Sequence, residues 1–173
     1  MSERERDQAA GWAERLERLA RLVPGVGVYR DREGIREADK QVRVFVAEQL
    51  HGLLRELEPA QRRLADAGRR EPLPPLDRIA RQLSTLADRI RYASYGFAGV
   101  FAAQKIRERE LAALHGFDLQ LLQALPELRS RIQAAADAAE RDDGVREAFE
   151  AAEKAVRGFD RMLDDRDGLA RGL

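Results

Sequence analysis

At 173 residues, 36% of them charged and only 6% aromatic, the chain has the composition of a single domain built from long helices. Its 31 Lys and Arg balance 31 Asp and Glu, which argues against a nucleic-acid binder with its basic footprint. There is no cysteine, so disulfides, thiol catalysis and cysteine-ligated zinc are excluded. The charge is unevenly spread: residues 1–116 carry 22 basic against 18 acidic residues, and 117–173 carry 9 against 13. The N-terminus lacks the apolar core of a signal peptide, and no window approaches the ~18 apolar residues that span a bilayer. A soluble cytoplasmic protein is expected.

In chain order, Ser2-x-x-Glu5 reads as a capping box opening a first helix, with Trp12, Leu16, Leu19 and Val23 on one face. Pro24-Gly25-Val26-Gly27 stops it, and Asp31 is the expected N-cap of the next helix. That second helix is expected over about 32–67. Its seam starts at Ile35, Ala38 and Val42, then shifts to Val46, Leu50, Leu53, Leu57, Ala60, Leu64 and Ala67. The shift near Phe45 reads as a stutter, and Pro59 predicts a kink or short break.

Gly68–Pro75 reads as a loop whose last two prolines suit a helix start. The third helix carries Leu76, Ile79, Leu83, Leu86, Ile90, Ala93, Phe97 and Val100 at heptad spacing. The same phase continues through Leu111, Leu114, Asp118, Leu121, Leu125, Leu128, Ile132, Ala135 and Ala139. A break is expected at His115-Gly116, with Ala124–Glu127 around Pro126 as the alternative. Asp142-Asp143-Gly144 marks a turn. A last helix follows from Val145 to Leu163, with Phe149, Ala152, Val156 and Phe159 on its seam, and residues 165–173 read as a flexible tail.

The expected fold is therefore all-α: an elongated antiparallel helical bundle. A long coiled-coil-like hairpin joins two further helices and an N-terminal helix (residues 1–30 with the Pro/Gly connector, then a bundle over 31–164). With the hairpin turn near residue 71, facing residues should sum to about 142. That places Phe97 opposite Phe45 and Val100 opposite Val42. The arrangement resembles coiled-coil membrane-stress scaffolds in being long, helical and charged; no residue is carried across on that likeness.

The candidate interaction face is the uncharged stretch Tyr92–Gln104, with Tyr92, Tyr95, Gly96, Phe97, Gly99 and Phe101. Ala93, Gly96, Gly99 and Ala103 line one stripe where a neighbouring helix could approach closely. Core packing explains the stretch first, a partner or oligomer face second, and membrane-surface insertion third. Arg62, Arg63, Arg69 and Arg70 form a basic cluster at the hairpin tip, a candidate electrostatic contact that solvation also explains. Asp137, Glu140, Asp142 and Asp143 lack the spacing of a Ca²⁺ loop and read as surface.

Glu48-x-x-His51 has the i,i+3 spacing of half a di-iron site, but His115 has Ala112 where the second half needs Glu. Gly25-Val-Gly27 lacks the third glycine and the preceding strand of a dinucleotide loop. Ser84, Thr85, Ser94 and Ser130 have no base nearby in sequence. No catalytic residue, cofactor or metal ligand is expected. The leading expectation is a non-enzymatic bundle acting through protein–protein contact or self-association, as a scaffold or adaptor. A peripheral membrane-associated coiled-coil protein and a metal- or small-ligand-binding four-helix bundle are the alternatives.

Overall fold

The computed structural model describes residues 14, 15, 17–26, 32–93 and 108–172, and these form an all-α bundle. A short N-terminal helical segment, 17–22, precedes α1 (Arg32–Asp66), α2 (Leu73–Tyr92), α3 (Glu108–Arg141) and α4 (Val145–Gly172). Each helix exists because its apolar seam is buried, which contributes more than intrinsic propensity does. The expected seams are the core: Val46, Leu50, Leu53, Leu57 and Leu64 on α1; Leu76, Ile79, Leu83 and Ile90 on α2; Leu121, Leu128 and Ile132 on α3; Phe149, Val156, Phe159 and Leu163 on α4. From the N-terminal segment, Leu19 and Val23 complete it.

Two helical hairpins lie side by side. Gln61 donates to Asp77 across the first, at 2.6 Å, and further along Arg43 reaches the Ala93 carbonyl. Between hairpins, α1 and α3 run in the same direction, since Glu56 pairs with Gln133 and Arg63 with Glu140. On the other side α2 and α4 do likewise, through Arg78–Glu153 and Arg89–Asp160. Thus α1 contacts α2 and α3, and α4 contacts α3 and α2. Both hairpin turns sit at one end of the bundle. The starts of α1 and α3 and the ends of α2 and α4 meet at the other.

The first turn closes on Gly68, whose φ is +72°, a conformation that side chains disfavour. Its N–H bonds the Ala65 carbonyl at 3.0 Å, and the Arg69 N–H bonds the Leu64 carbonyl at 2.9 Å, the paired bonds of a Schellman cap. Nothing lies within 4 Å of where a Cβ at Gly68 would stand. Gly68→Ala should therefore cost only the left-handed strain, about 1 kcal/mol, read as a lower urea midpoint with an unchanged slope.

Several expectations need correction. α1 and α3 are each one continuous helix, so neither the short break expected at Pro59 nor the alternative break around Pro126 occurs. Both prolines are exposed, which keeps their rings out of the core. α3 also passes through His115-Gly116 without a break. Leu114, Asp118 and Leu121 are buried on both sides of the glycine, and that packing outweighs its propensity cost of ~1 kcal/mol. The chain instead leaves the helix at Ala93 (φ −50°, ψ 98°), where the phase of the seam gave no warning. The Arg43 guanidinium donates to the carbonyls of Arg91 and Ala93, at 3.4 and 3.1 Å, and so satisfies the end of α2. Facing residues in the first hairpin sum to 136–138 rather than 142, because the turn is centred before residue 71. Phe97 and Val100, offered as partners of Phe45 and Val42, lie outside the described residues. Finally, α4 does not end at Leu163 but continues to Gly172.

Candidate functional site

At the end opposite the hairpin turns, five polar residues are buried together: Asp39 and Arg43 from α1, His115 and Asp118 from α3, and Arg166 from α4. Asp39 and Arg43 are one helical turn apart, and the Arg43 Nε donates to Asp39 Oδ2 at 3.0 Å. Arg166 holds the cluster together. Its Nε donates to Asp118 Oδ1 at 2.6 Å and its second nitrogen donates to Asp39 Oδ1. One guanidinium on α4 thus clamps both α3 and α1, and the link to α1 crosses the bundle diagonal.

The charges cancel. Two carboxylates face two guanidiniums, and Arg166 stands between Asp39 and Asp118 where a cation would otherwise be needed. Burial pushes the Asp118 carboxyl up from the ordinary carboxylate range, against the pull of Arg166. The two carboxylates hold the Arg166 guanidinium more firmly protonated still, despite its own burial.

His115 is the exception to this order. It is 1% exposed, and neither ring nitrogen has a hydrogen-bond partner. Its Nδ1 lies 4.0 Å from Asp118 Oδ2, itself unpartnered and too distant for a bond. Burial holds the imidazole below the ordinary histidine range; Asp118 and Asp39 oppose that shift, and Arg166 and Arg15 add to it.

The sequence reading missed this cluster, although two signals were present. Asp118 stood openly in the α3 seam. On α4, continuing the alternating spacing one step past Leu163 lands on Arg166. Both are ionisable residues at core positions, where such groups are rare unless paired.

The predicted residues lie elsewhere. Of the candidate interaction face only Tyr92 and Ala93 are among the described residues; Tyr92 is 72% exposed at the end of α2. Tyr95, Gly96, Phe97, Gly99 and Phe101 fall outside them. At the hairpin tips the basic and acidic clusters meet each other. Arg63 pairs with Glu140 at 2.5 Å, Arg69 pairs with Asp142 at 2.8 Å, and Arg69 also donates to the Glu140 carbonyl. Arg62 and Arg70 are exposed beside them. Glu48 is exposed, while the half-buried His51 turns its Nδ1 to the Ala47 carbonyl at 2.8 Å, within its own helix. Among the described residues no group of three or more His, Asp or Glu is placed to hold a metal ion, and no helix is long and apolar enough to cross a membrane.

A second feature is an open groove between α1 and α3. The N-terminal segment fills part of the space beside these helices: Gly25 sits by Gln41, and the Arg15 guanidinium lies over the bare face of Gly116. Where the segment ends, a cleft of about 300 Å³ remains, with Leu22, Phe45, Leu53, Leu122, Leu125 and Pro126 on its walls. Gln49 and Arg129 are its polar members, and Leu22 is 48% exposed at its edge. No family model matches the chain, and neither a curated protein nor a solved structure does.

Proposed function

We propose that this protein is a non-enzymatic helical bundle that works through protein–protein contact, either with further copies of itself or as an adaptor for another chain. The observation that supports this most is the α1–α3 groove. Its walls are mostly apolar, with Gln49 and Arg129 the polar members, and its size is at the lower limit of small-molecule sites. Such a groove suits the apolar side chains of a docked helix, the kind of contact that Leu19 and Val23 already make within this chain. The guanidiniums of the buried polar cluster, by contrast, donate to internal carboxylates and carbonyls.

Light scattering over a hundredfold concentration range, with co-purification from cells, tests the reading. Leu22→Asp is the informative variant, because an exposed side chain can be changed without emptying the core. It should weaken self-association or partner retention about tenfold or more while leaving the melting curve in place. A wild-type chain that is monomeric throughout and retains no partner would defeat the proposal.

A further inference from the structure

The buried end cluster carries a consequence that does not depend on how the groove is used. We propose that His115 is an acid-sensitive latch: protonating its ring opens the end of the bundle where Arg166 ties α4 to α1 and α3, while the hairpin-turn end stays closed.

With His115 neutral, Asp39 and Asp118 balance Arg43 and Arg166 among buried groups. A proton on His115 adds a positive charge that no further buried carboxylate among the described residues is left to neutralise. Among the described residues, the charged groups that face the ring are Asp118 on its own helix, Asp39 on α1, Arg166 on α4 and Arg15 from the N-terminal segment. α2 contributes to this end the Arg91 and Ala93 carbonyls, both engaged by Arg43. Two carboxylates therefore attract the charge and two guanidiniums repel it, with burial deciding against it.

Geometry makes the effect local. A neutral imidazole already lacks partners here, and an imidazolium would have two N–H donors without acceptors. The carboxylate oxygen beside it is Asp118 Oδ2, at 4.0 Å. To close that gap Asp118 must turn, which strains its 2.6 Å bond from Arg166. Otherwise the ring must move out to water, which displaces the start of α3. Either response loosens Arg166, and Arg166 is the residue that also grips Asp39 across the bundle. The tip pairs Arg63–Glu140 and Arg69–Asp142 have no part in this chain of contacts.

The sign follows from the lowered proton affinity of the folded ring. Below the ordinary histidine range near pH 6.5, the unfolded chain binds a proton that the folded chain resists, so stability falls as pH falls. Asp118 contributes with the opposite sign, since burial raises its proton affinity in the folded state. His115→Gln removes the histidine contribution and leaves that of Asp118 in place.

The test compares urea unfolding and peptide-level hydrogen exchange of the wild type, His115→Gln and His51→Gln between pH 7.5 and 5. In the wild type the unfolding midpoint should fall with acid by an amount equivalent to about one proton, and exchange should rise around residues 39, 118 and 166. The tips around 63–70 and 137–143 should remain protected. His115→Gln should lose most of this dependence and His51→Gln should keep it. If His115→Gln follows the wild type, or if acid loosens the tips first, the proposal is overturned. Should His115→Gln fail to fold, the ring proton resonances of the wild type decide the matter. The chain has only two histidines, so His51→Gln assigns them. Titration of His115 below the ordinary value supports the latch, and titration at or above it refutes it.

Discussion

Arg166→Ala is expected to destabilise the bundle by about 3–5 kcal/mol, the usual cost of breaking a buried ion pair from one side. The substitution removes a side chain that is 3% exposed and leaves Asp118 without its guanidinium. Asp39 keeps Arg43 but loses the partner on its other oxygen. Two observations separate this charge effect from simple loss of packing. The penalty should shrink in acid, because a protonated Asp118 no longer needs a cation. Pairing Asp118→Leu with Arg166→Met should also cost far less than Arg166→Ala alone, since it removes both charges and keeps Asp39–Arg43. Urea unfolding of the wild type and both variants at pH 7 and pH 5 measures these effects. A cost under about 1 kcal/mol for Arg166→Ala would mean that water reaches these carboxylates, as in an exposed pair.

That network also marks where the sequence could be read and where it could not. The heptad seams gave the buried faces of all four helices, because helical periodicity and burial on one face are the same physical fact. The uneven charge along the chain has a structural counterpart. Arg63, Arg69, Arg78 and Arg89 of the first hairpin pair with Glu140, Asp142, Glu153 and the acids Asp160, Asp164 and Asp167 of the second. Opposite excesses in the two halves thus became the polar seam between them. Phase, however, records which face is apolar and not whether the helix is continuous. It therefore ran smoothly across Ala93, where α2 ends, whereas the glycine itself, and not the phase, suggested a break at Gly116 that tertiary packing overrides. The clamp from Arg166 to Asp39 spans 127 positions. Nothing local in the sequence names that partner, although the heptad slots of Asp118 and Arg166 required that each have one.

The second large effect belongs to the apolar core. Phe159→Ala should cost about 3–5 kcal/mol, because Phe159 is among the largest side chains that are fully buried and its removal leaves a cavity. Phe149→Ala, on the same helix but nearer the turn and 8% exposed, should cost less, since a site open to the surface can partly collapse or fill with water. The pH dependence makes this more than a packing test. Phe159 and Arg166 share the α4 seam, seven residues or about 10 Å apart, far enough for their effects to be largely independent. An apolar cavity involves no proton, so the Phe159→Ala penalty should be the same at pH 7 and pH 5 while the Arg166→Ala penalty falls. If both penalties fall together, acid is loosening the whole core rather than one end of it. The polar cluster would then be an ordinary part of a cooperative bundle and not a separately responsive one.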